Sequence, residues 1–389
     1  MRVLHVVSSY LPAVRYGGTI VSVHGLCKAL AARGHDVHVF TTSVDGPADS
    51  KVPHGEAVDR DGVKVWYYRS RHLRRLYWAP ALAGALKASV DRFDVLHTHA
   101  VFLWPLWAAA RAARRAKVPY VVSPRGMLER DLISNRNPLL KALWIAAFER
   151  HNLEHAAAIH VTSAREADEA AALGLRLPAL REIPNGVDAS ESPGEPSAPI
   201  AELVRGEPYV LFLGRINWKK GLDRLVPALT RVRNARLVVA GNDEDAYRSI
   251  LDNLAGRFAV TDRIVYTGPV QGADKAALLA HARVLVLPSY SENFGNVVIE
   301  AMAAGCPVIV TPEVGLAKEV ATSGAGFVVD GGLDTLGQAI DSVFTTPELR
   351  QQMGERGKAA VTARYSWPVV AAQMEALYAS VVNERGAHA

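Results

Sequence analysis

Apolar residues run along the chain in two spacings, and the change from one to the other marks the elements. The segment "RVLHVV" at the start is continuous and β-branched, as a strand buried on both faces requires. A helix over about Gly18–Arg33 is predicted next, with Val21, Leu26, Ala29 and Leu30 as packing positions, and "GHDVHVFTT" then reads as a second strand. Further strands are predicted at 63–69, 93–99, 119–123 and 157–163. Helical stretches near 78–90, 103–116, 138–154 and 164–172 separate several of them. Strands alternating with helices predict an open, parallel α/β sheet.

The pattern breaks over 188–208, "DASESPGEPSAPIAELVRGEP", where Pro, Ser and Glu dominate and a linker with at most one short helix is expected. It then restarts. Strands are predicted at 209–215, 235–241, 263–269, 283–289, 307–311 and 326–330, with helices near 221–231, 244–256, 273–281 and 296–304. Two closing helices, about 348–361 and 366–384, either cap the second unit or cross back to the first. The domain expectation is therefore 1–187, a linker 188–208, 209–365, and a final helix from 366. Two such units usually bind their ligand in the cleft between them.

Composition changes this picture little. A length of 389 residues suits two domains, and 49% hydrophobic with 21% charged residues suits large cores. The formal charge of +5 favours an anionic partner without choosing among nucleic acid, lipid surface or phosphorylated small molecule. Cys27 and Cys306 stand in apolar surroundings with no spacing that suggests a metal site or disulfide framework, and they read as buried thiols in a reducing compartment. No apolar run reaches spanning length. A cytoplasmic protein is expected, with peripheral contact to the inner face of a membrane as an option.

Candidate chemistry lies where strands end. Gly17 and Gly18 follow the first strand and precede a helix, so backbone amides there could meet an anion; a plain tight turn is the alternative. In "GRINWKKGLD", residues 214–223, Arg215, Lys219 and Lys220 stand near a helix N-terminus, whose positive end repels them unless an anion compensates. A diphosphate would do so. In "SENFGNVVIE", residues 291–300, Glu292 and Glu300 flank a helix start, and acceptor-only carboxylates suit sugar hydroxyls. Either glutamate alone reads better as a cap or ion-pair partner; the two segments together favour a site.

These segments, with "DVLHTH", "IPNGVD", "YTGPV" and "AMAAGCPVIVT" in the same order, resemble retaining family 4 glycosyltransferases of the GT-B fold over nearly the whole chain. The resemblance implies two Rossmann-like parallel-sheet domains facing across a cleft, with the last helix returning to the N-terminal one. It implies transfer of a sugar from a nucleoside diphosphate to a hydroxyl of a glycan, lipid-linked glycan or small molecule, with anomeric retention. Arg215 and Lys220 would bind the diphosphate and Glu300 the ribose. Glu292, Asn293, Phe294, Gly295, Asn296 and Val297 would hold the transferred sugar, Val270 would lie by the base, and Gly17 and Gly18 would meet the phosphates. The base and sugar stay open.

The family's usual histidine in the loop after the strand "PYVVS" is absent. "SPRGMLE" puts Arg125 there, a pattern shared with relatives in bacterial polysaccharide building. A guanidinium cannot be a general base but can donate to a hydroxyl or phosphate. His99 is a candidate for pocket lining, with a structural role as the alternative, and Glu129 is either an acceptor-side carboxylate or a helix-start charge. The stretch 68–80, with Arg69, Arg71, Arg74 and Arg75 among aromatics, could touch anionic lipid or be a solvated loop. No nucleic-acid module accompanies it. Metal-free chemistry without a cofactor is expected. A nucleotide-sugar epimerase on the same fold and an inactive sugar-nucleotide binder are the competing readings.

Overall fold

The computed structural model describes residues 1–13, 17–128, 148–188, 194–244 and 246–388. The chain forms two compact units, Met1–Gly186 with Trp367–Ala389, and Val187–Ser366.

The first unit is built on an eight-stranded sheet. Its strands are β1 (Arg2–Ser9), β2 (Asp36–Thr42), β5 (Ala57–Arg60), β6 (Val63–Tyr68), β7 (Val95–His99), β8 (Tyr120–Ser123), β9 (Ala158–Val161) and β10 (Leu180–Glu182). β3 (Val44–Asp45) and β4 (Ala48–Asp49) form a separate small ribbon. The sheet order is β10-β9-β8-β7-β1-β2-β6-β5, parallel except for the β5–β6 pair. The chain leaves β1 toward β2, then returns to place β7 on the other side. The β1/β7 boundary is therefore a topological switch point, where open sheets of this kind hold ligands.

The helix Trp367–His388 belongs to this unit. Trp367, Val370, Ala371, Met374, Leu377 and Tyr378 share a core with Val3, Val23 and Leu30. Trp367 lies flat over two glycines. A Cβ on Gly25 would stand 2.1 Å from its ring and one on Gly186 2.4 Å. Val21, expected in the core, is 54% exposed, because the inward stripe of helix Gly18–Ala32 runs through Ile20, Val23, Leu26, Cys27 and Leu30.

The second unit repeats the plan with six parallel strands in the order β13-β12-β11-β14-β15-β16. These are β11 (Tyr209–Leu213), β12 (Arg236–Ala240), β13 (Ile264–Gly268), β14 (Val284–Leu287), β15 (Val308–Val310) and β16 (Gly326–Val328). Its switch point lies between β11 and β14. Residues 198–205, placed in the linker by their composition, are a helix of this unit. Ser197 caps the approach by giving its amide and hydroxyl to Asp274, at 2.6 and 3.0 Å. The helices Ala317–Ser323 and Leu333–Thr345 were not apparent in the apolar pattern. Among the described residues no helix is long and apolar enough to cross a membrane.

Candidate active site

The loop after β11 and the loop after β14 meet at the second switch point. Tyr290 N donates to Lys219 O at 2.8 Å, lacing the two loops together. Gly221 closes the first loop at φ +68°, where a Cβ would lie 2.0 Å from Pro288 O. Only glycine permits both that dihedral and that approach. The second loop is fixed to the end of β15: Glu292 N donates to Glu313 O at 3.1 Å, and Gly315 N to Glu292 O at 2.9 Å. Gly295, at φ +93°, then turns the chain into the helix Asn296–Ala304.

This framework pairs the predicted cations with carboxylates. Lys220 Nζ donates to Glu292 Oε2, both side chains being less than one-fifth exposed. Lys275 Nζ lies 2.6 Å from Glu300 Oε1. Arg215 Nη1 reaches Glu244 Oε1 at 3.1 Å, and Asn217 Nδ2 reaches Glu244 Oε2 at 2.9 Å. Arg215 is the most solvent-exposed of the three cations, at 56%.

Phe294 is buried against Tyr365, with ring centres 6.3 Å apart, so it anchors the turn from beneath. Asn293, Asn296 and Val297 are half-buried on the loop and the first helical turn. Val270 follows β13, the outermost strand, and packs on the edge of the core.

Three residues here were missed in the sequence. Glu244 and Lys275 hold Arg215 and Glu300, and Glu313 keeps Oε2 buried without a hydrogen-bond partner among the described residues. Each follows a strand or opens a helix well away from the motif it supports, so spacing gave no signal for it.

At the first switch point Gly17 precedes the helix Gly18–Ala32, and β7 ends in His99. His99 is fully buried and Arg125 half-buried. Arg125 Nη1 donates to Asn185 Oδ1 at 2.6 Å, and its Nη2 faces His99 Nδ1 at 3.2 Å. A guanidinium only donates, so His99 Nδ1 accepts and its proton sits on Nε2. That Nε2–H donates to His5 Nδ1 at 2.8 Å.

The backbone around this chain is strained. Ala100, Phe102 and Arg125, none a glycine, all have positive φ, a pattern concentrated at functional sites. The Arg125–Gly126 turn is held by buried Glu166, whose carboxylate accepts from Gly126 N at 2.6 Å, Thr162 N at 2.7 Å and Thr162 Oγ1 at 2.8 Å. Glu166 also completes an S-x-x-E helix start, its amide donating to Ser163 Oγ at 3.2 Å. That spacing was the one sequence signal available for it. Glu129 lies outside the described residues, as do most positions of the helix expected at 138–154.

His5, His97 and His99 bring ring nitrogens within 4.8 Å of one another. A metal-bound histidine normally gives its second N–H to an acceptor. For His99 that second nitrogen faces the donor-only Arg125, and its Nε2 proton is already committed to His5.

Burial and the nearby Arg125 charge push the imidazole of His5 down to about 3, and burial chiefly does the same to His160. His97 and His99 are also held well below the ordinary range by burial. These rings fold neutral and take up protons near pH 6.5 only when the chain unfolds. Their contribution is whole above about pH 6.5 and is lost progressively as the pH falls toward 3. Urea midpoints of the first unit should fall between pH 7 and 5 with a slope of at least one proton, about 1.4 kcal/mol per pH unit. A flat midpoint over that range would contradict neutral burial.

In the segment 68–80, Arg74 is tied down by Asp49 at 2.8 Å and Ala48 O at 2.6 Å. Arg69, Arg71 and Arg75 are exposed, as is Leu73.

Two Rossmann-like units follow one another in the chain, and the second carries lysine–glutamate ion pairs around its switch point. Residues 17–186 match the glycosyl transferase 4-like domain, and residues 197–360 match the glycosyl transferases group 1 family. The chain is 30% identical over 403 residues to a D-inositol 3-phosphate glycosyltransferase of Kribbella flavida, covering 95% of this chain and 92% of the relative. It is 26% identical over 408 residues to an uncharacterized glycosyltransferase of Methanocaldococcus jannaschii, covering 99% and 100%. In fold it is similar to the Anabaena protein HepE in complex with UDP-glucose, with a TM-score of 0.75 at 20% identity over 98% of this chain and 100% of that one. The chain belongs to the glycosyltransferase family composed of a 4-like domain followed by a group 1 domain. As a member of that family it transfers a glycosyl group to an acceptor.

Proposed function

We propose that the chain is a retaining glycosyltransferase whose donor sits at the β11/β14 switch point, with Lys220 and Arg215 on the diphosphate, Glu300 on the ribose and Glu292 on the transferred sugar. The Lys220–Glu292 pair carries this reading. Without ligand the two charges neutralise each other in a half-buried position. A diphosphate offers Lys220 a second anion and frees Glu292 to accept from sugar hydroxyls. Lys275 plays the matching part for Glu300. The Asn293–Val297 turn contributes polar groups and backbone to the sugar, and Val270 packs beside the base. The turn at Gly17 and Gly18 lies at the first switch point, where the half-buried Arg125 offers a cation and the fully buried His99 positions it from behind rather than lining a pocket.

Retention fits a front-face path, in which the diphosphate leaves and the acceptor attacks on the same side. We further propose that the reaction uses no divalent metal, because the donor-only Arg125 beside His99 disfavours ligation at the one histidine cluster among the described residues. The acceptor is a glycan, a lipid-linked glycan or a small polyol, and the protein works in the cytoplasm with optional contact to anionic membrane.

The roles of the two glutamates separate in calorimetry. Glu300→Gln should weaken nucleoside diphosphate by roughly 1.5–3 kcal/mol, the usual worth of a charged hydrogen bond. Glu292→Gln should leave the diphosphate nearly unchanged and weaken the intact nucleotide sugar. Equal losses for both ligands in both variants would contradict the assignment. A panel of nucleotides in thermal shift identifies the base, since a ligand that binds only the folded state raises the melting temperature.

A further inference from the structure

A concavity of about 430 Å³ opens on the first unit, lined by Trp107, Arg111, Arg114, Arg115, Phe148 and His151. Each of these described residues is cationic, aromatic or both, and none of them is acidic. Its volume falls in the range of small-molecule sites. We propose that this concavity is a binding site for an oxyanion, of phosphate-ester type, carried on an apolar group.

Among the described residues Arg111, Arg114 and Arg115 have no carboxylate within ion-pair distance, whereas Arg150 nearby is paired with Glu154 at 3.0 Å. Guanidinium groups keep their charge at any accessible pH, so three of them around one hollow repel one another until an anion enters. Arg114 is already positioned for it. The half-buried side chain gives Nη1 to Asn152 Oδ1 at 2.8 Å and to Tyr120 OH at 3.3 Å. That leaves its other donors for a ligand, in the forked geometry that suits phosphate.

The apolar part has its own walls. Trp107 and Phe148 meet edge to face, with centres 5.8 Å apart at 90°, and the Arg111 guanidinium stands 5.3 Å from the Trp107 ring. The His151 and His155 ring centres lie 4.0 Å apart with the rings tilted by 49°, and burial with the neighbouring Arg114 and His155 holds the His151 imidazole below the ordinary range. The site is distinct from the chemistry at the strand ends. Arg114 is anchored to Tyr120, the first residue of β8, whereas Arg125 follows the last.

Octyl phosphate below its aggregation limit, inorganic phosphate and octyl glucoside are the probes, titrated by calorimetry into the full-length protein. Octyl phosphate should saturate one site and bind at least about tenfold more tightly than either single-feature probe. The double variant Arg111→Glu/Arg115→Glu and, separately, Trp107→Ala should each weaken it by about tenfold or more. Both should keep the wild-type affinity for nucleoside diphosphate, so failure of this site is told apart from failure of the donor site.

Vesicles of phosphatidylcholine with and without phosphatidylglycerol identify the source of the anion. Sedimentation of the wild type, but not the double variant, with the anionic vesicles assigns a lipid headgroup. Binding of the soluble ester alone assigns a free phosphate ester. Absence of saturable octyl phosphate binding, or equal binding by wild type and double variant, overturns the proposal.

Discussion

Lys220→Ala and Arg215→Ala are each expected to lower turnover at saturating donor by about 10²-fold or more, the scale of losing one preorganised charge-stabilising donor. A departing diphosphate gains negative charge as the glycosidic bond breaks. A cation fixed beside it therefore helps the transition state more than the bound donor. The geometry adds an asymmetry between the two. Lys220 is the more buried, and its removal strips Glu292 of its partner and leaves a carboxylate facing the incoming phosphates. Arg215 is more exposed and already held by Glu244, so its loss leaves a charge that water can screen.

Lys220→Ala should thus be the more damaging. Adding Glu292→Gln to it should cost less than the two single effects combined, as expected for residues in direct contact. Lys219→Ala should matter less. The assay is transfer by chelator-treated protein with nucleotide sugar and acceptor. Near-native turnover in both single variants would remove the charge-neutralising roles. Activity lost with chelator and restored by Mn²⁺ would remove the metal-free mechanism.

Gly221→Ala should destabilise the protein by about 3 kcal/mol or more and abolish most of the activity that remains in the folded fraction. The left-handed dihedral alone costs an alanine roughly 1–2 kcal/mol. Overpacking adds about 1–3 kcal/mol, since the new Cβ would stand 2.0 Å from Pro288 O. Pro288 belongs to the loop carrying Glu292, and Tyr290 N is bonded to Lys219 O. Relief of the clash must therefore move both halves of the Lys220–Glu292 pair apart. Urea unfolding reads the first effect, and donor affinity measured well below the transition reads the second. An alanine variant with unchanged midpoint and unchanged donor binding would show that the two loops are not coupled through this glycine.

Much of the architecture is visible without coordinates. β1, β11 and β14 are continuous apolar runs, and parallel strands covered on both faces must be. The glycines and charges that follow them stand out because nothing in a packed core calls for them. The charges between Arg215 and Glu300 also stand out in the sequence, and the phosphate-and-polyol site proposed above is built from them. Short elements on surfaces were harder. The helix Ala198–Arg205 hides in a Pro- and Glu-rich stretch, and Val21 has the right hydrophobicity but the wrong angular position on its helix.

What only the tertiary structure decided is which charges face each other. Lys220 and Glu292 are 72 residues apart, Lys275 and Glu300 are 25 apart, and Arg125 finds Asn185 across 60. A strand's own pattern says that it is buried but not which strand lies beside it. The order β13-β12-β11-β14-β15-β16 places the end of β11 next to the end of β14, and with it Lys220 next to Glu292. Hydrophobic burial is local and non-directional, so it is written in each segment. Ion pairing and hydrogen bonding need a partner at a fixed distance, and that distance exists only after the sheet has assembled.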